Sequence, residues 1–149
     1  MNPDELFNQL FDLSGPLAVI GWLALLVSPL LPRLAQWVAG LIVPTILSVA
    51  YAALILANWA DAPGGFDSLG NVMLLFDVPA VALAGWLHYL AFDLFVGAWI
   101  ARTARAEGVP HLLVMPCLVL TFLFGPIGFV LFLSIRFARR LGGYPLKAA

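Results

Sequence analysis

Long apolar stretches separated by short polar connections dominate the hydrophobic pattern of the chain. Four stretches reach the roughly 20 residues that a helix needs to cross the hydrocarbon core of a bilayer. They cover residues 13–31, 37–59, 78–101 and 112–137. The connections hold nearly all of the charged residues and much of the glycine and proline, as loops do. The pattern therefore predicts an all-α integral membrane protein, a four-helix bundle that forms a single transmembrane domain over residues 1–149.

Two chain segments next to these stretches carry local helix signals. Residues 3–11 place apolar side chains opposite polar ones at helical spacing, which fits a short helix in the headgroup region or equally the first turns of the first span. No basic segment precedes them, so the sequence does not predict a cleaved signal peptide. Asp77, followed by Val78 and Pro79, is predicted as the N-cap of the third span.

Two prolines interrupt the fourth stretch, and they predict a kink in the fourth helix. Pro116 and Pro126 lack an N–H, so each leaves the carbonyl four residues earlier without its helical donor. These carbonyls belong to Leu112 and Phe122. An unpaired carbonyl in lipid must find another donor, which would be Thr121, a neighbouring side chain or a ligand hydroxyl.

The charges give a conflicting signal about topology. Arg33, Arg102 and Arg105 fall at one end of the first three spans, and most acidic residues fall at the other. A fully crossing fourth span would carry four further basic residues to the acidic end, and the direction of insertion then stays open. A re-entrant fourth segment, broken at Gly125 and Pro126, would instead gather all seven basic residues at one end. That arrangement requires protein to shield its backbone from lipid.

Composition excludes several classes of function. Hydrophobic residues make up 63% of the chain and charged residues only 10%, against roughly 25% in soluble domains. A net charge of −1 argues against a nucleic-acid-binding surface. The single cysteine, Cys117, excludes an intrachain disulfide or a cysteine-type zinc site. No Glu-x-x-His pair is present, and His88 and His111 lie at different depths, so we predict no metal site and no cofactor.

Two ionisable residues lie inside the third stretch. His88 falls near mid-depth, and Asp93 follows about one and a half turns later. An Asp at the centre of a span costs about 3 kcal/mol, whereas hydrogen bonds between membrane helices return only about 0.6 kcal/mol. This balance favours a functional site over a role in helix packing, although both interpretations stay open. At about 100° per residue the two side chains point roughly 140° apart, and we predict that they line one ligand-facing site from flanking angles.

The third and fourth stretches also carry a recognisable pattern. The segments WLHYLAFDLFVGAWIAR and PCLVLTFLFGPIGFVLFLSIR resemble the abscisic-acid-deficient-four-like family, small membrane proteins whose plant members are tied to neoxanthin synthesis. The likeness runs from about Leu6 to Arg136, and the runs HYLAFD and FGPxG are its most specific parts. The family's signature positions are His88, Asp93, Pro116, Gly125, Pro126 and Gly128. The resemblance assigns no catalytic role to any of them.

The resemblance implies a membrane protein that modifies a carotenoid, xanthophyll or related isoprenoid, acting as an isomerase if it is an enzyme. Formation of neoxanthin from violaxanthin opens an epoxide to an alcohol while a proton leaves the adjacent polyene carbon, which requires an acid and a base but no cofactor. A carboxyl group in hydrocarbon is favoured in its uncharged form, so Asp93 would act as the acid and neutral His88 as the base. The substrate-binding residues that we predict are Trp86, Tyr89, Phe92, Thr121, Phe122, Tyr51 and Asn58.

Two other functions fit the same residues. In the first, the protein binds a carotenoid or retinoid as a carrier or assembly factor without changing it. In the second, the intramembrane pair relays protons or ions, although four spans without a repeat are a poor basis for a transporter. We expect a polyene or isoprenoid ligand, membrane lipid and a second copy of the chain as partners, and no nucleic acid. The chain has no transit peptide, so we expect it in the bacterial inner membrane, where the identity of the substrate stays open.

Overall fold

Six helices account for most of residues 2–142, the part of the chain that the computed structural model describes. In chain order they are α1 (Pro3–Leu26), α2 (Pro32–Asn58), α3 (Leu69–Phe76), α4 (Pro79–Ala106), α5 (His111–Phe124) and α6 (Pro126–Leu141). The described residues form no β-strand. The predicted all-α class is therefore confirmed.

Three of the helices are long and apolar enough to cross a membrane: α1 with 24 residues, α2 with 27 and α4 with 28. At about 1.5 Å per residue, each is longer than the roughly 30 Å hydrocarbon core. Helix α4 lies at the centre, because it packs against α1, α2 and α5 and 13 of its 28 residues are buried. The outer faces of α1 and α2 expose large apolar side chains, as expected of a membrane protein.

The amino-terminal segment is part of the first spanning helix. Pro3 occupies the first helical position, and the Asn2 side chain accepts a hydrogen bond from the Asp4 N–H at 3.4 Å. Residues 3–11 are thus the first turns of α1, continuous with the rest of that helix. Their position relative to the lipid headgroups stays a prediction.

Helix α2 contains one wide π-helical turn, Val38–Ile42, just before Pro44. The Val43 N–H donates to the Val38 carbonyl, five residues earlier instead of four. Pro44 has no N–H to offer the carbonyl of Gly40, so a regular helix would lack a hydrogen bond here in any case. The widened turn lets one helix continue through a proline, and such turns often mark functional positions.

A short helix that the sequence pattern did not predict, α3, lies in the connection between α2 and α4. Ser68 caps it by accepting a hydrogen bond from the Asn71 N–H at 3.2 Å. Asp77 ends this helix, while Val78 directly precedes α4 and caps it with no side-chain hydrogen bond. The prediction that Asp77 is the N-cap of the third span is therefore wrong.

The fourth apolar stretch does not cross the membrane as one helix. It forms two shorter helices, α5 with 14 residues and α6 with 16, which meet at Gly125. Helix α6 folds back along α5. As a result, Arg136 near the end of α6 forms an ion pair with Glu107, just before α5 begins. Phe132 of α6 also packs against Trp99 of α4, with ring centres 5.7 Å apart. The predicted four-helix bundle with a single kinked fourth helix is not confirmed, and the folded-back pair has the shape of the re-entrant alternative.

A sharp reversal between α5 and α6 depends on two glycines and a proline. Gly125 has φ +49°, in the region that favours glycine, and a Cβ there would lie 2.7 Å from Oδ1 of Asp93. Pro126 begins α6 at a position where a helix does not use the N–H. A Cβ on Gly128 would overlap the Cys117 carbonyl oxygen of α5. The three residues together make a tight helical hairpin.

This hairpin reaches about halfway along the central helix. Its tip at Gly125 contacts Asp93, which lies midway between the two ends of α4. Gly125 and Gly128 are both buried, so protein shields the non-helical backbone at this depth, as re-entrant segments require. The hairpin therefore extends to the middle of α4 and returns to the end at which α4 finishes.

The hairpin also resolves the conflict between the charges. All arginines lie at the end where α4 finishes: Arg33, Arg102, Arg105, Arg136, Arg139 and Arg140. Lys147, the remaining basic residue, lies outside the described residues. Acidic residues other than Asp93 and Glu107 fall at the opposite end, in the first half of α1 and in the connection between α2 and α4. The positive-inside rule then places the arginine end on the inner side of the membrane.

We expect the beginning of α1 and the end of α6 to be labelled from opposite sides of the membrane. The test uses two single-cysteine variants, Asp4→Cys and Leu141→Cys, in a Cys117→Ala background, and an impermeant maleimide on intact cells. Only Asp4→Cys should react before the cells are opened. A control at Ser68→Cys, in the α2–α4 connection, should react like Asp4→Cys. Equal reaction at positions 4 and 141 would restore four full crossings.

Candidate functional site

A groove of about 280 Å³ lies between α1, α4 and the tip of the hairpin. It is lined by Gly15, Ala18, Val19, Trp86, Tyr89, Leu90, Phe122 and Leu123. Three of the predicted substrate-binding residues, Trp86, Tyr89 and Phe122, are thus brought together. Val19 and Leu123 are about half exposed, so one side of the groove opens toward lipid.

Trp86 is held in the wall of this groove by a polar contact inside the membrane region. Its indole N–H donates to the Ser14 hydroxyl oxygen at 3.0 Å, and that hydroxyl donates to the Phe11 carbonyl at 2.7 Å. The rings of Phe11 and Tyr89 each lie 5.5 Å from the Trp86 ring. Sequence reasoning missed Ser14, although a polar residue inside an apolar stretch, two positions before Pro16, was a usable signal. These contacts fix α1 against α4 beside the groove.

Tyr89 links the groove to the tip of the hairpin. Its hydroxyl donates to the Phe122 carbonyl at 3.1 Å and lies 3.4 Å from the Leu123 carbonyl. The Phe122 carbonyl is the one that Pro126 leaves without a helical donor. The sequence suggested Thr121, a neighbouring side chain or a ligand hydroxyl as the donor, and in the structure the donor is the side chain of Tyr89. Tyr89 therefore caps the carboxyl end of α5 at mid-membrane depth.

Asp93 lies one helical turn beyond Tyr89, on the same face of α4. Its carboxyl group faces the Gly125 backbone, and Tyr89, one turn earlier, presents its hydroxyl to the same hairpin tip. That hydroxyl has a single proton, and it is already donated to the Phe122 carbonyl. Oδ2 of Asp93 is buried and has no hydrogen-bond partner within residues 2–142. The hairpin tip thus encloses an unsatisfied carboxyl oxygen one turn beyond Tyr89, although Asp93 itself does not line the groove.

His88 lies on a different side of α4 from Asp93. Its ring stacks on Phe92 with the ring centres 4.5 Å apart, and it lies 5.5 Å from the Tyr51 ring of α2. His88 is exposed, as is Phe92, and neither lines the groove. The structure therefore brings together His88, Phe92 and Tyr51 on the α2 side, apart from Asp93. The catalytic role of His88 stays a prediction. The expected association with a second copy of the chain also stays a prediction.

The two remaining predicted binding residues bond within their own helices. Thr121 is fully buried, and its hydroxyl donates to the Cys117 carbonyl at 2.8 Å where α5 meets Gly128. The Asn58 amide donates to the Leu54 carbonyl at 2.8 Å, in the last turn of α2. Neither side chain lines the groove. The Thr121 hydrogen bond stabilises α5 within the hairpin, and the Asn58 hydrogen bond stabilises the last turn of α2.

Replacing Tyr89 with phenylalanine should destabilise the protein, because the Phe122 carbonyl then has no donor. Hydrogen bonds of this kind in membranes contribute about 0.6 kcal/mol on average and up to roughly 1.7 kcal/mol. Thermal unfolding of the detergent-solubilised protein measures the loss. Tyr51→Phe is the matched control, since the Tyr51 hydroxyl makes no hydrogen bond within the described residues. Equal decreases in unfolding temperature for the two variants would contradict the capping role of Tyr89.

Comparison with known proteins identifies the family. The ABA DEFICIENT 4-like family model matches residues 9–132, which include the whole groove, Asp93 and the turn at Gly125. Neither a curated protein nor a solved structure matches the chain. Because the family model covers most of the sequence, the resemblance of the HYLAFD and FGPxG segments is confirmed. The chain belongs to the ABA DEFICIENT 4-like family of membrane proteins.

Proposed function

We propose that the protein binds one end of a polyene or related isoprenoid in the groove and isomerises it by proton transfer at Asp93. The observation that carries this proposal is the buried Oδ2 of Asp93, which lacks a hydrogen-bond partner within residues 2–142 and lies one helical turn from Tyr89 in the wall of an aromatic groove. Placing a carboxyl group at the centre of a span costs about 3 kcal/mol. No hydrogen bond to Oδ2 within residues 2–142 offsets that cost, so a role in chemistry explains the residue better.

The shape of the groove favours a long apolar ligand that is held by one end. A volume of about 280 Å³ is near the lower limit of ligand pockets, which run from roughly 300 to 1,000 Å³. Because the groove opens toward lipid between Val19 and Leu123, the rest of a rod-like molecule can extend into the bilayer. Trp86 and Phe122 offer flat surfaces for a ring or a conjugated chain.

The proposed reaction is the opening of an epoxide beside a conjugated chain. The carbon–oxygen bond breaks, the oxygen takes a proton, and a proton leaves the adjacent polyene carbon, so that no electrons are gained or lost overall. Asp93 in its protonated form supplies the first proton, and the resulting carboxylate accepts the second. Tyr89 lines the groove one turn before Asp93 on the same face of α4, and in this scheme it is the positioning residue between carboxyl group and ligand. No cofactor enters this scheme.

One observation favours binding without conversion as a second candidate function. The predicted acid and base are not assembled, because His88 faces Tyr51 and Phe92 while Asp93 faces the hairpin tip. Should Asp93 be unable to serve as both acid and base, the groove would hold a polyene unchanged. In this alternative the protein is a carrier or assembly protein that binds the polyene without changing it.

The decisive experiment is to incubate the detergent-solubilised protein with an epoxy-xanthophyll such as violaxanthin and to separate the pigments by chromatography with mass detection. An isomerase yields a product of unchanged mass and altered absorption, whereas a carrier returns the pigment unchanged but bound. Failure of the pigment both to bind and to react would contradict the proposal. The absorption spectrum of any pigment that co-purifies with the protein then identifies a better substrate.

A further inference from the structure

Two adjoining cavities, each larger than the groove, lie at the arginine end of the molecule. One has a volume of about 350 Å³ and lies between the α1–α2 connection, the end of α4 and the start of α5. The other, of about 570 Å³, runs along the first turns of α2. Both are lined by Pro32, Gln36, Arg102 and Arg105, and we call the pair the basic cavity.

The arginines of the basic cavity carry charge that no carboxylate balances. Within residues 2–142, neither Arg33, Arg102 nor Arg105 has an acidic side chain within ion-pair distance. The acidic residue at this end, Glu107, is already engaged by Arg136, whose Nε donates to Oε2 at 2.7 Å. Glu107 therefore does not neutralise the arginines that line the basic cavity, and the cavity keeps a net positive charge.

A hydrogen-bonded relay holds Arg102 in position. The Gln36 Nε2 donates to the Ala98 carbonyl at 3.1 Å, which fixes the Gln36 side chain between α2 and α4. Its Oε1 accepts a hydrogen bond from Nη1 of Arg102, also at 3.1 Å. A guanidinium has five N–H donors, so most of them remain for a ligand. The side chain of Arg105, one turn further along α4, makes no hydrogen bond within the described residues.

The second half of the basic cavity is apolar and faces outward. Trp37, Gly40 and Leu41 line it, and Trp37 and Leu41 are 60% and 50% exposed. Gly40 and Leu41 belong to the π-helical turn, which widens α2 at this point. A cationic pocket that continues into an apolar trough on the lipid-facing surface matches a molecule with an anionic head and a hydrocarbon tail.

We propose that the basic cavity binds an anionic phospholipid, with its phosphate at Arg102 and Arg105 and an acyl chain along Trp37 and Leu41. Arginine pairs with phosphate oxygens through two parallel N–H···O bonds, which makes phosphate the favoured head group. The site lies at the end that the positive-inside rule places on the inner side, where anionic lipid is available. This site is separate from the groove and does not depend on the proposed isomerisation.

The test titrates the full-length protein in detergent with dioleoyl phosphatidylglycerol and follows bound lipid by native mass spectrometry. We expect Arg102→Gln and Arg105→Gln each to weaken binding about tenfold or more, as the loss of a charge-assisted hydrogen bond does. Arg140→Gln removes the same charge at the same end but outside the cavity, and it should change binding less than about twofold. Arg105→Gln breaks no hydrogen bond within the described residues, so it should unfold at the wild-type temperature in lipid-free detergent.

Two further measurements separate the lipid from other sources of the same chemistry. Phosphatidylcholine should bind at least about tenfold more weakly than phosphatidylglycerol, because its head group has no net charge. Inorganic pyrophosphate should compete weakly, and Trp37→Ala should weaken phosphatidylglycerol binding without affecting pyrophosphate. The proposal is overturned if Arg140→Gln loses as much affinity as Arg105→Gln, if the two phospholipids bind equally, or if pyrophosphate binds as tightly as the lipid.

Discussion

Replacing Asp93 with asparagine is expected to reduce conversion of a bound polyene by at least about 100-fold, the usual contribution of a general acid or base. Asparagine keeps the size and hydrogen-bonding capacity of the aspartate but cannot deliver or accept the proton. It also removes an ionisable group that costs about 3 kcal/mol at the centre of a span. The thermal stability of the variant should therefore equal or exceed that of the wild type, while its product formation disappears.

Three measurements make this result interpretable: product formed per minute, pigment bound at equilibrium and the unfolding temperature. Asp77→Asn is the matched control, since Asp77 is exposed at the end of α3 and does not line the groove. It should behave as the wild type in all three. Conversion by Asp93→Asn at the wild-type rate would show that proton transfer does not use this carboxyl group. A parallel experiment with His88→Gln tests the predicted base, and undiminished conversion would exclude His88.

Replacing Gly128 with alanine is expected to disrupt the re-entrant hairpin. The new Cβ would overlap the Cys117 carbonyl oxygen and the Thr121 backbone N–H group of α5. Backbone atoms inside a helix cannot move aside as a side-chain end can, so α6 must separate from α5. Overpacking of this kind typically costs about 1–3 kcal/mol, and the loss should reach the upper part of that range because the obstructing atoms are backbone.

The unfolding temperature in detergent and limited proteolysis of the α5–α6 segment measure this effect. Gly70→Ala is the matched control, because a Cβ at that position has no atom within 4 Å. It should be neutral or slightly stabilising, since alanine favours a helix over glycine. An unfolding temperature for Gly128→Ala equal to that of Gly70→Ala would contradict the close approach of α5 and α6. The hairpin would then need another explanation.

Hydrophobic patterning alone located the three spanning helices, because a run of about 20 apolar residues has few alternatives to a helix in lipid. It failed in the fourth stretch, 112–137, where length and hydropathy are equally compatible with one kinked helix and with two antiparallel ones. The difference depends on whether Gly125 takes a positive φ and whether Gly128 can lie against α5. The first is a local backbone conformation and the second a contact between helices, and hydrophobic periodicity encodes neither.

The candidate site divides in the same way. Asp93 could be identified from the sequence, because placing an acidic side chain in a membrane span costs free energy whichever residues surround it. Helical geometry also placed His88 and Asp93 about 140° apart, but only the packed structure shows that one faces α2 and the other the hairpin tip. The angle between two side chains is a property of one helix. Which helix fills the space in front of each of them is a property of the whole fold.

Chain order and composition thus determined the class, the three spans and the unusual carboxyl group of this protein. Tertiary packing decided that Tyr89 supplies the donor that the Phe122 carbonyl lacks, and that the arginines gather at one end. The physical reason is that an apolar stretch lowers its free energy in lipid whichever way it folds. Its direction is selected only by close contacts, such as those of Gly125 with Asp93, and by the pairing of buried polar groups.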